Sequence, residues 1–228
     1  MTVITPTKTT TDSTTEQATS SYKLKDNSVF WVNWYTTSGP IDCGTATYIH
    51  TDLCNKPILI TANDIFVDHD PSIPLEDFIL NGDFIDISTN KVSEASISEV
   101  IPLNGSTYSP DLSQDLSAFF LNNDEELQPF SLSRTSCTPS DTIYLLTNTC
   151  DNSTEFVYPC SIISTKDGIL YYKLDQNNLS NKVDLSYSIG APLVNEDGEL
   201  VGIHIGSNGS TRCGLTSQQI YTILKNNL

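Results

Sequence analysis

The sequence predicts an all-β fold closed by a C-terminal helix, and three observations support this class. Short runs rich in β-branched and aromatic residues recur from residue 29 to residue 205, separated by turn residues. The stretch 193–205 alternates in apolar character around a turn at 195–198, which indicates a β-hairpin. Residues 216–227 open on a threonine and carry apolar residues at helical spacing, which predicts the terminal helix.

The first half of the chain contains most of the predicted strands. An aromatic run at 29–35 is followed by a break at Gly39 and Pro40, after which apolar and β-branched residues resume. Because these runs are short and separated by polar turns, we interpret each as a strand of an antiparallel sheet. The further strand-like runs of this half are 44–49, 57–66, 78–80, 84–87, 97–108 and 114–121.

After a polar connection at 122–128, the second half again contains short apolar and β-branched runs separated by turn residues. Its strand-like runs are 141–146, 156–164 and 169–173, followed by the hairpin. We therefore expect two β domains, 25–128 and 129–228. Residues 1–24 are dominated by Thr and Ser and lack the apolar side chains needed to offset the entropy of ordering, which predicts a disordered tail.

The charge of the chain excludes several classes of partner. Among its 228 residues, Asp plus Glu number 28 and Lys plus Arg number 11, which gives a formal net charge of −17. Such a surface repels phosphate backbones and anionic lipids, so we expect neither nucleic acid nor a membrane as a partner. The first residues lack the basic start and apolar core of a secretory signal, so cytoplasmic residence is the default expectation.

The stretch 187–194 reads Tyr-Ser-Ile-Gly-Ala-Pro-Leu-Val, and Val-Gly-Ile follows at 201–203. It resembles the nucleophile loop of trypsin-like serine proteases, which reads GxSGGPL and is followed by a VGI strand. In this frame Ile189 takes the nucleophile position, and Tyr187 replaces the glycine whose backbone helps to form the oxyanion hole. A hydrocarbon side chain cannot attack a carbonyl, so the resemblance implies the fold without its standard nucleophile.

Two more stretches match the same family in the correct order. Residues 59–62, Leu-Ile-Thr-Ala, are similar to the start of the family's LTAAHC motif, which places Asp64 at the catalytic histidine. Residues 115–121 are similar to the DLAVLKL strand, which places Asp115 at the aspartate that orients that histidine. The resemblance covers about residues 28–226 and implies a double six-stranded antiparallel β-barrel with a C-terminal helix.

The six cysteines show no CxxC spacing, so we expect no metal site and no cofactor. In the resemblance, Ile65 replaces the cysteine that bridges to the position of Cys43, which implies that Cys43 is a free, buried thiol. Cys150 and Cys160 flank a predicted hairpin and form the pair to suspect if a bridge exists.

Residues 202–206, Gly-Ile-His-Ile-Gly, resemble the GIHWG strand of glutamate-preferring bacterial proteases and the GIHV strand of picornavirus-like proteases. In those families the histidine lines the specificity pocket and contacts a Glu or Gln side chain. The resemblance implies a ligand site at His204, Gly206 and Gly190, while a His204 that only fills a disused pocket is the alternative. With a carboxylate ligand, a protonated His204 would bind best below its ordinary pKa of about 6.5.

Three functions follow from these patterns. The sequence favours an inactive trypsin-like protease homologue, or pseudoprotease, that binds a protein or an extended peptide. The alternative is a serine-type endopeptidase with a non-standard centre that uses Ser188 as a displaced nucleophile. A third possibility is a structural module whose N-terminal tail binds the partner. We expect His50 and His69 to be surface residues rather than a catalytic base.

Overall fold

The computed structural model describes residues 28–66, 70, 73–103, 111–139, 141–147, 157–175, 185 and 187–228. Single 3₁₀ turns lie at Asn63–Phe66 and Leu112–Gln114, and neither helix of the described ranges is long and apolar enough to cross a bilayer. The strands and helices are β1 (Val29–Thr36), β2 (Gly39–His50), β3 (Ile58–Thr61), α1 (Leu75–Phe78), β4 (Ile79–Asp86), β5 (Ser96–Ile101), β6 (Ser117–Asn122), β7 (Phe130–Ser131), β8 (Thr142–Leu146), β9 (Val157–Lys166), β10 (Ile169–Leu174), β11 (Pro192–Val194), β12 (Leu200–Asn208), β13 (Thr211–Thr216) and α2 (Ser217–Lys225).

The second domain confirms the predicted six-stranded barrel. Its strands close in the order β10-β13-β12-β11-β8-β9, and every neighbouring pair is antiparallel. Alternate side chains point inward and form a closely packed interior in which Leu145, Ile162, Tyr172 and Leu193 are buried. Because the barrel is closed, a strand has a free edge only where it extends beyond the strand it pairs with.

The first domain has the six predicted strands but not the predicted closed ladder. Its sheet runs β4-β1-β2-β3-β6-β5, and β4 and β5 at its two edges are not joined by backbone pairing in the described ranges. The Ile97 N–H of β5 instead donates to the Asn81 side-chain oxygen of β4 at 3.4 Å. A side chain thus occupies the place where a sixth ladder would close the barrel.

Aromatic packing fills the concave side of this open sheet. Trp34 lies fully buried at its centre, with ring centroids 5.1 Å from Phe66 and from Phe119 and 6.2 Å from Phe84. Two of these contacts are edge-to-face, the arrangement that aromatic rings favour. The aromatic run at 29–35 in the sequence is therefore the main packing element of the first domain.

A separate apolar cluster joins the two domains. Residues of the first sheet such as Ile49 and Ile60 pack there with Val194 and Ile203 of the barrel, and Ile220 of α2 covers one side. The connection between the domains reinforces this contact, because β7 pairs in parallel with β2 and is followed by a bridge from Leu132 to Leu200. The relative position of the two domains, and so the geometry of any site between them, is set by this cluster.

The predicted terminal helix is confirmed. Thr216 is its N-cap, and the Thr216 hydroxyl accepts a hydrogen bond from the Gln219 N–H at 3.2 Å. Ile220, Ile223 and Leu224 form the buried face against the domain junction. The spacing of these apolar residues in the sequence is therefore the spacing of one helical face.

Several sequence predictions fall outside the described residues, namely the 1–24 tail, His69, Cys150 and the side chain of Cys43. Cys160 is described as a free thiol with no exposed surface, so the structure contains no bridge from Cys160 to Cys150. Its sulfur donates to the Tyr158 carbonyl at 3.3 Å, and burial raises the pKa of the thiol far above its ordinary value. Cys160 is thus an unreactive core residue.

Candidate functional site

The 187–190 loop lies at the junction of the two domains, where β2 holds it by its backbone carbonyls. The Thr45 N–H donates to the Ile189 carbonyl at 2.8 Å, and the Thr45 hydroxyl donates to the Tyr187 carbonyl at 2.9 Å. The Thr47 hydroxyl donates to the Gly190 carbonyl at 3.0 Å. Two threonines of the first domain therefore fix the shape of a loop that belongs to the second.

Gly190 is required at its position by both conformation and space. Its φ is +88°, and a Cβ there would lie 1.9 Å from the Thr45 carbonyl oxygen and 2.3 Å from the Thr61 hydroxyl. Its N–H donates to the His204 carbonyl at 2.7 Å. The structure places Gly190, expected from the resemblance to contact a ligand, in a packing role with both backbone groups bonded inside the protein.

Ile189 fills the space at the nucleophile position with hydrocarbon. Its half-buried side chain packs against the core of the first domain and against the domain junction. On the other side Ile65 lies so close to Gly44 that a Cβ on Gly44 would be 2.0 Å from the Ile65 Cδ1 atom. Two isoleucines thus occupy the positions where the resemblance would place a serine and a cysteine.

Ser188, the candidate displaced nucleophile, has a hydroxyl that is already bonded. Its side chain is fully buried, and its Oγ atom donates to the Leu185 carbonyl at 2.6 Å. In the described part of the chain, no histidine side chain forms a hydrogen bond with this hydroxyl. The Ser188 hydroxyl therefore has a structural partner and no base beside it.

The structure brings Asp64 and Asp115 together, as the sequence frame predicts. The Asp64 N–H donates to one carboxylate oxygen of Asp115 at 2.8 Å, while the Asp64 side chain is exposed. The second oxygen of Asp115 is buried and has no partner within the described ranges. Burial raises the pKa of Asp115 to about 6 against the opposing effect of the Asp64 N–H, and the nearby Asp64 charge raises it further.

His204 is buried on β12, and 2% of the residue is exposed. Its Nδ1 atom lies 2.9 Å from the Tyr172 hydroxyl and 3.1 Å from the Cys213 carbonyl oxygen, and the two rings meet edge to face. Burial, together with the charge of Arg212, lowers the pKa of His204 to about 4. The ring is therefore neutral near pH 6.5, whereas the sequence led us to expect protonation below that value.

The strand that carries His204 has a free edge beyond it. On its β11 side, pairing ends at Pro192 with Ile203 and at the His204 N–H, which donates to the Ala191 carbonyl at 2.7 Å. A bulge follows between His204 and Gly206, and a Cβ on Gly206 would meet nothing within 4 Å. Beyond the His204 carbonyl, which accepts from the Gly190 N–H, no described strand pairs with residues 205–208 of β12 on that side.

A groove of about 770 Å³ lies elsewhere, between the end of β2, the connection that follows β7 and helix α2. Its walls include His50, Arg134, Glu199 and Tyr221, and none of the predicted site residues. His50 is exposed at the end of β2, as the sequence predicts. Among the described residues no three His, Cys, Asp or Glu side chains lie close enough together to hold a metal ion.

Sequence reasoning did not identify Tyr172, Arg212, Thr45 or Thr47 as parts of the site. Arg212 lies on β13, which pairs with β12, Tyr172 lies on β10, which pairs with β13, and the two threonines lie on β2 of the other domain. The only signal for Tyr172 was its place in an alternating apolar run, which indicates burial but no partner. The contacts of these residues depend on strand pairing at long range.

No protein-family model and no curated protein sequence matches the chain. Similar solved structures include the inactive form of the Rv3671c protease, with a TM-score of 0.56, 15% identity, and coverage of 88% of this chain and 89% of that chain. The active form of the Rv3671c protease from M. tuberculosis gives a TM-score of 0.58 and 15% identity, over 88% of this chain and 81% of that chain. At this identity the likeness shows the trypsin-like β-barrel fold.

Proposed function

We propose that this protein is a pseudoprotease, a trypsin-like fold that binds an extended peptide beside β12 and does not cleave it. The observation that carries the proposal is the 187–190 loop. In that loop Ile189 occupies the position that the resemblance gives to the nucleophile, and the Ser188 hydroxyl is bonded to the Leu185 carbonyl.

The chemistry of acyl transfer supports the absence of cleavage. A serine protease needs a free hydroxyl, a base within hydrogen-bond reach and a group that orients the base. Asp64 replaces the base, and its backbone rather than its side chain bonds to Asp115. Loss of the nucleophile or the base reduces kcat by about a millionfold in such enzymes, so the combined changes leave no useful rate.

The free edge of β12 supports peptide binding. An extended ligand can add its backbone to an exposed strand edge, which supplies affinity, while neighbouring side chains select the ligand residue. Gly206 lies where no described strand pairs with β12 on this side, a Cβ there would meet nothing within 4 Å, and His204 lies two residues before it. The second nitrogen of a neutral His204 donates when it carries the ring proton, which suits an amide or a carboxylate oxygen of the ligand, and it accepts when Nδ1 carries the proton, which suits only an amide N–H.

The test is a fluorescence titration with labelled hexapeptides that differ only in carrying Glu, Gln or Ala at one central position. We expect the Glu and Gln peptides to bind more tightly than the Ala peptide, and His204→Ala to weaken both by about tenfold, since one buried hydrogen bond is lost. His50→Ala is the matched control, because His50 is exposed and lines the separate groove beside Glu199, not the 204–206 part of β12. Its affinities should equal those of the wild type.

Tyr172→Phe is a second variant that tests the same site if His204→Ala does not fold. It removes only the hydroxyl next to the His204 Nδ1 atom. We expect it to keep the barrel and to weaken the Glu and Gln peptides by a smaller factor. Equal affinities of the wild type and His204→Ala for all three peptides would show that His204 serves only to pack the barrel.

A further inference from the structure

Arg212 lies next to the residues that surround His204. It faces Tyr172 directly across the β10–β13 ladder and Ser207 across the β12–β13 ladder. Side chains of directly opposed residues project to the same face of a sheet, so Arg212 extends on the face that carries the Tyr172 ring. That ring contacts His204, with its hydroxyl 2.9 Å from the His204 Nδ1 atom.

The guanidinium of Arg212 forms no ion pair in the described part of the chain. The chain contains only two arginines, and Asp plus Glu outnumber Lys plus Arg by 28 to 11. Arg134 pairs with Asp52 at 3.1 Å, whereas Arg212, although half-buried, makes no ion pair or hydrogen bond with a described residue. An arginine without a partner, amid such an excess of carboxylates, is available for an external anion.

His204 cannot supply that positive charge itself. Burial and the proximity of Arg212 hold its pKa at about 4, so the ring is neutral at physiological pH. The hydroxyl of Tyr172 is also neutral, because burial raises its pKa well above the ordinary value. The burial of the Cys213 thiol likewise raises its pKa. Arg212 is therefore the permanent charge among the groups that border His204.

We propose that Arg212 is a specificity-determining residue that selects a carboxylate, the side chain of Glu or Asp, at the His204 end of the peptide site. This assignment rests on the proposed function and names its ligand chemistry. The guanidinium binds the carboxylate by charge-assisted hydrogen bonds, and His204, in the tautomer whose Nδ1 accepts from the Tyr172 hydroxyl, donates one neutral hydrogen bond that an amide oxygen could equally accept. Preference for Glu over Gln then comes from Arg212, while binding of either comes from the strand edge and His204.

The experiment compares the Glu and Gln peptides on wild type, Arg212→Gln and Arg212→Lys. We expect Arg212→Gln to lower affinity for the Glu peptide by about tenfold and to leave the Gln peptide within about twofold, as expected for one charge-assisted contact. Arg212→Lys should recover part of the Glu preference, since it keeps the charge without the planar fork. The pKa of His204, followed by NMR in the free protein, should rise in Arg212→Gln toward its ordinary value.

The outcomes separate the two proposals. If wild type binds neither peptide, the proposed function fails, and the NMR titration still tells whether Arg212 acts on His204. If wild type binds both peptides and Arg212→Gln weakens them equally, or changes neither affinity, Arg212 has no part in selection and the assignment is overturned. An unchanged His204 pKa in Arg212→Gln would also contradict the assignment, because it would show that the charge of Arg212 does not act on His204.

Discussion

Gly190→Ala is expected to destabilise the protein by about 3 to 5 kcal/mol, since it combines a strained backbone with a steric overlap. The left-handed φ of +88° disfavours any residue with a Cβ, and that Cβ would lie 1.9 Å from the Thr45 carbonyl oxygen. The loop cannot move away without breaking its hydrogen bonds to Thr45 and Thr47. Both the domain junction and the barrel should loosen together.

Chemical denaturation followed by tryptophan fluorescence measures this loss, because Trp31 and Trp34 both lie in the first domain. Gly209→Ala is the matched control. Gly209 also has a positive φ, +63°, but a Cβ there meets nothing within 4 Å, so only the backbone strain of about 1 kcal/mol is expected. Equal losses in the two variants would mean that the contact with Thr45 does not constrain the loop.

Asp115→Asn is expected to stabilise the protein at pH 7, by roughly 2 to 3 kcal/mol. Burial raises the pKa of Asp115 from 3.8 to about 6, so the folded state holds its proton more tightly than the unfolded chain. Protonated Asp115 therefore contributes to the free energy of unfolding below about pH 4, and this contribution is lost as pH rises through about 6. A shift of one pKa unit corresponds to about 1.4 kcal/mol. The Asn side-chain oxygen can still accept the Asp64 N–H.

The free energy of unfolding of wild type and Asp115→Asn, measured from pH 4 to pH 8, tests this directly. The difference between the two proteins should be small at pH 4, grow up to about pH 6 and then stay constant. Asp77→Asn, at an exposed carboxylate of α1, should follow the wild-type curve. A wild type that gains stability relative to Asp115→Asn as pH rises would show that the carboxylate is stabilised, not penalised, by its surroundings.

The sequence predicts the framework of the fold because most strands and the final helix have a local pattern. The aromatic run at 29–35 and the apolar hairpin at 193–205 alternate as buried strands do, and Thr216 caps the helix as its residue type suggests. It does not predict β7 or β13. Both are short and partly polar, and they become strands only through the neighbours that pair with them.

The open edge of the first sheet has a similar cause. The resemblance implies a closed ladder, but closure depends on how β4 and β5 meet, and the Asn81 side chain takes the place of a backbone partner there. The local conformation of residues 63–66 was also missed, since they form a 3₁₀ turn rather than the end of a strand. Neither feature has a periodic signal.

For the candidate site, the frame from the resemblance selects Asp64, Asp115, Ile189 and His204 from the sequence. It cannot give their electrostatics. The neutral state of His204 follows from its burial and from Arg212, which lies eight residues later on the neighbouring strand β13. Such effects arise only when the strands are paired, so no local pattern encodes them.

The central claim, binding without cleavage, is tested most directly by incubating the protein with an equimolar labelled Glu hexapeptide and analysing the complex by mass spectrometry. We predict that the peptide is found in complex with the protein and is recovered intact after prolonged incubation. No acyl adduct should be present on the protein. Recovery of cleaved peptide that disappears in Ser188→Ala would contradict this result and establish an endopeptidase with a displaced nucleophile.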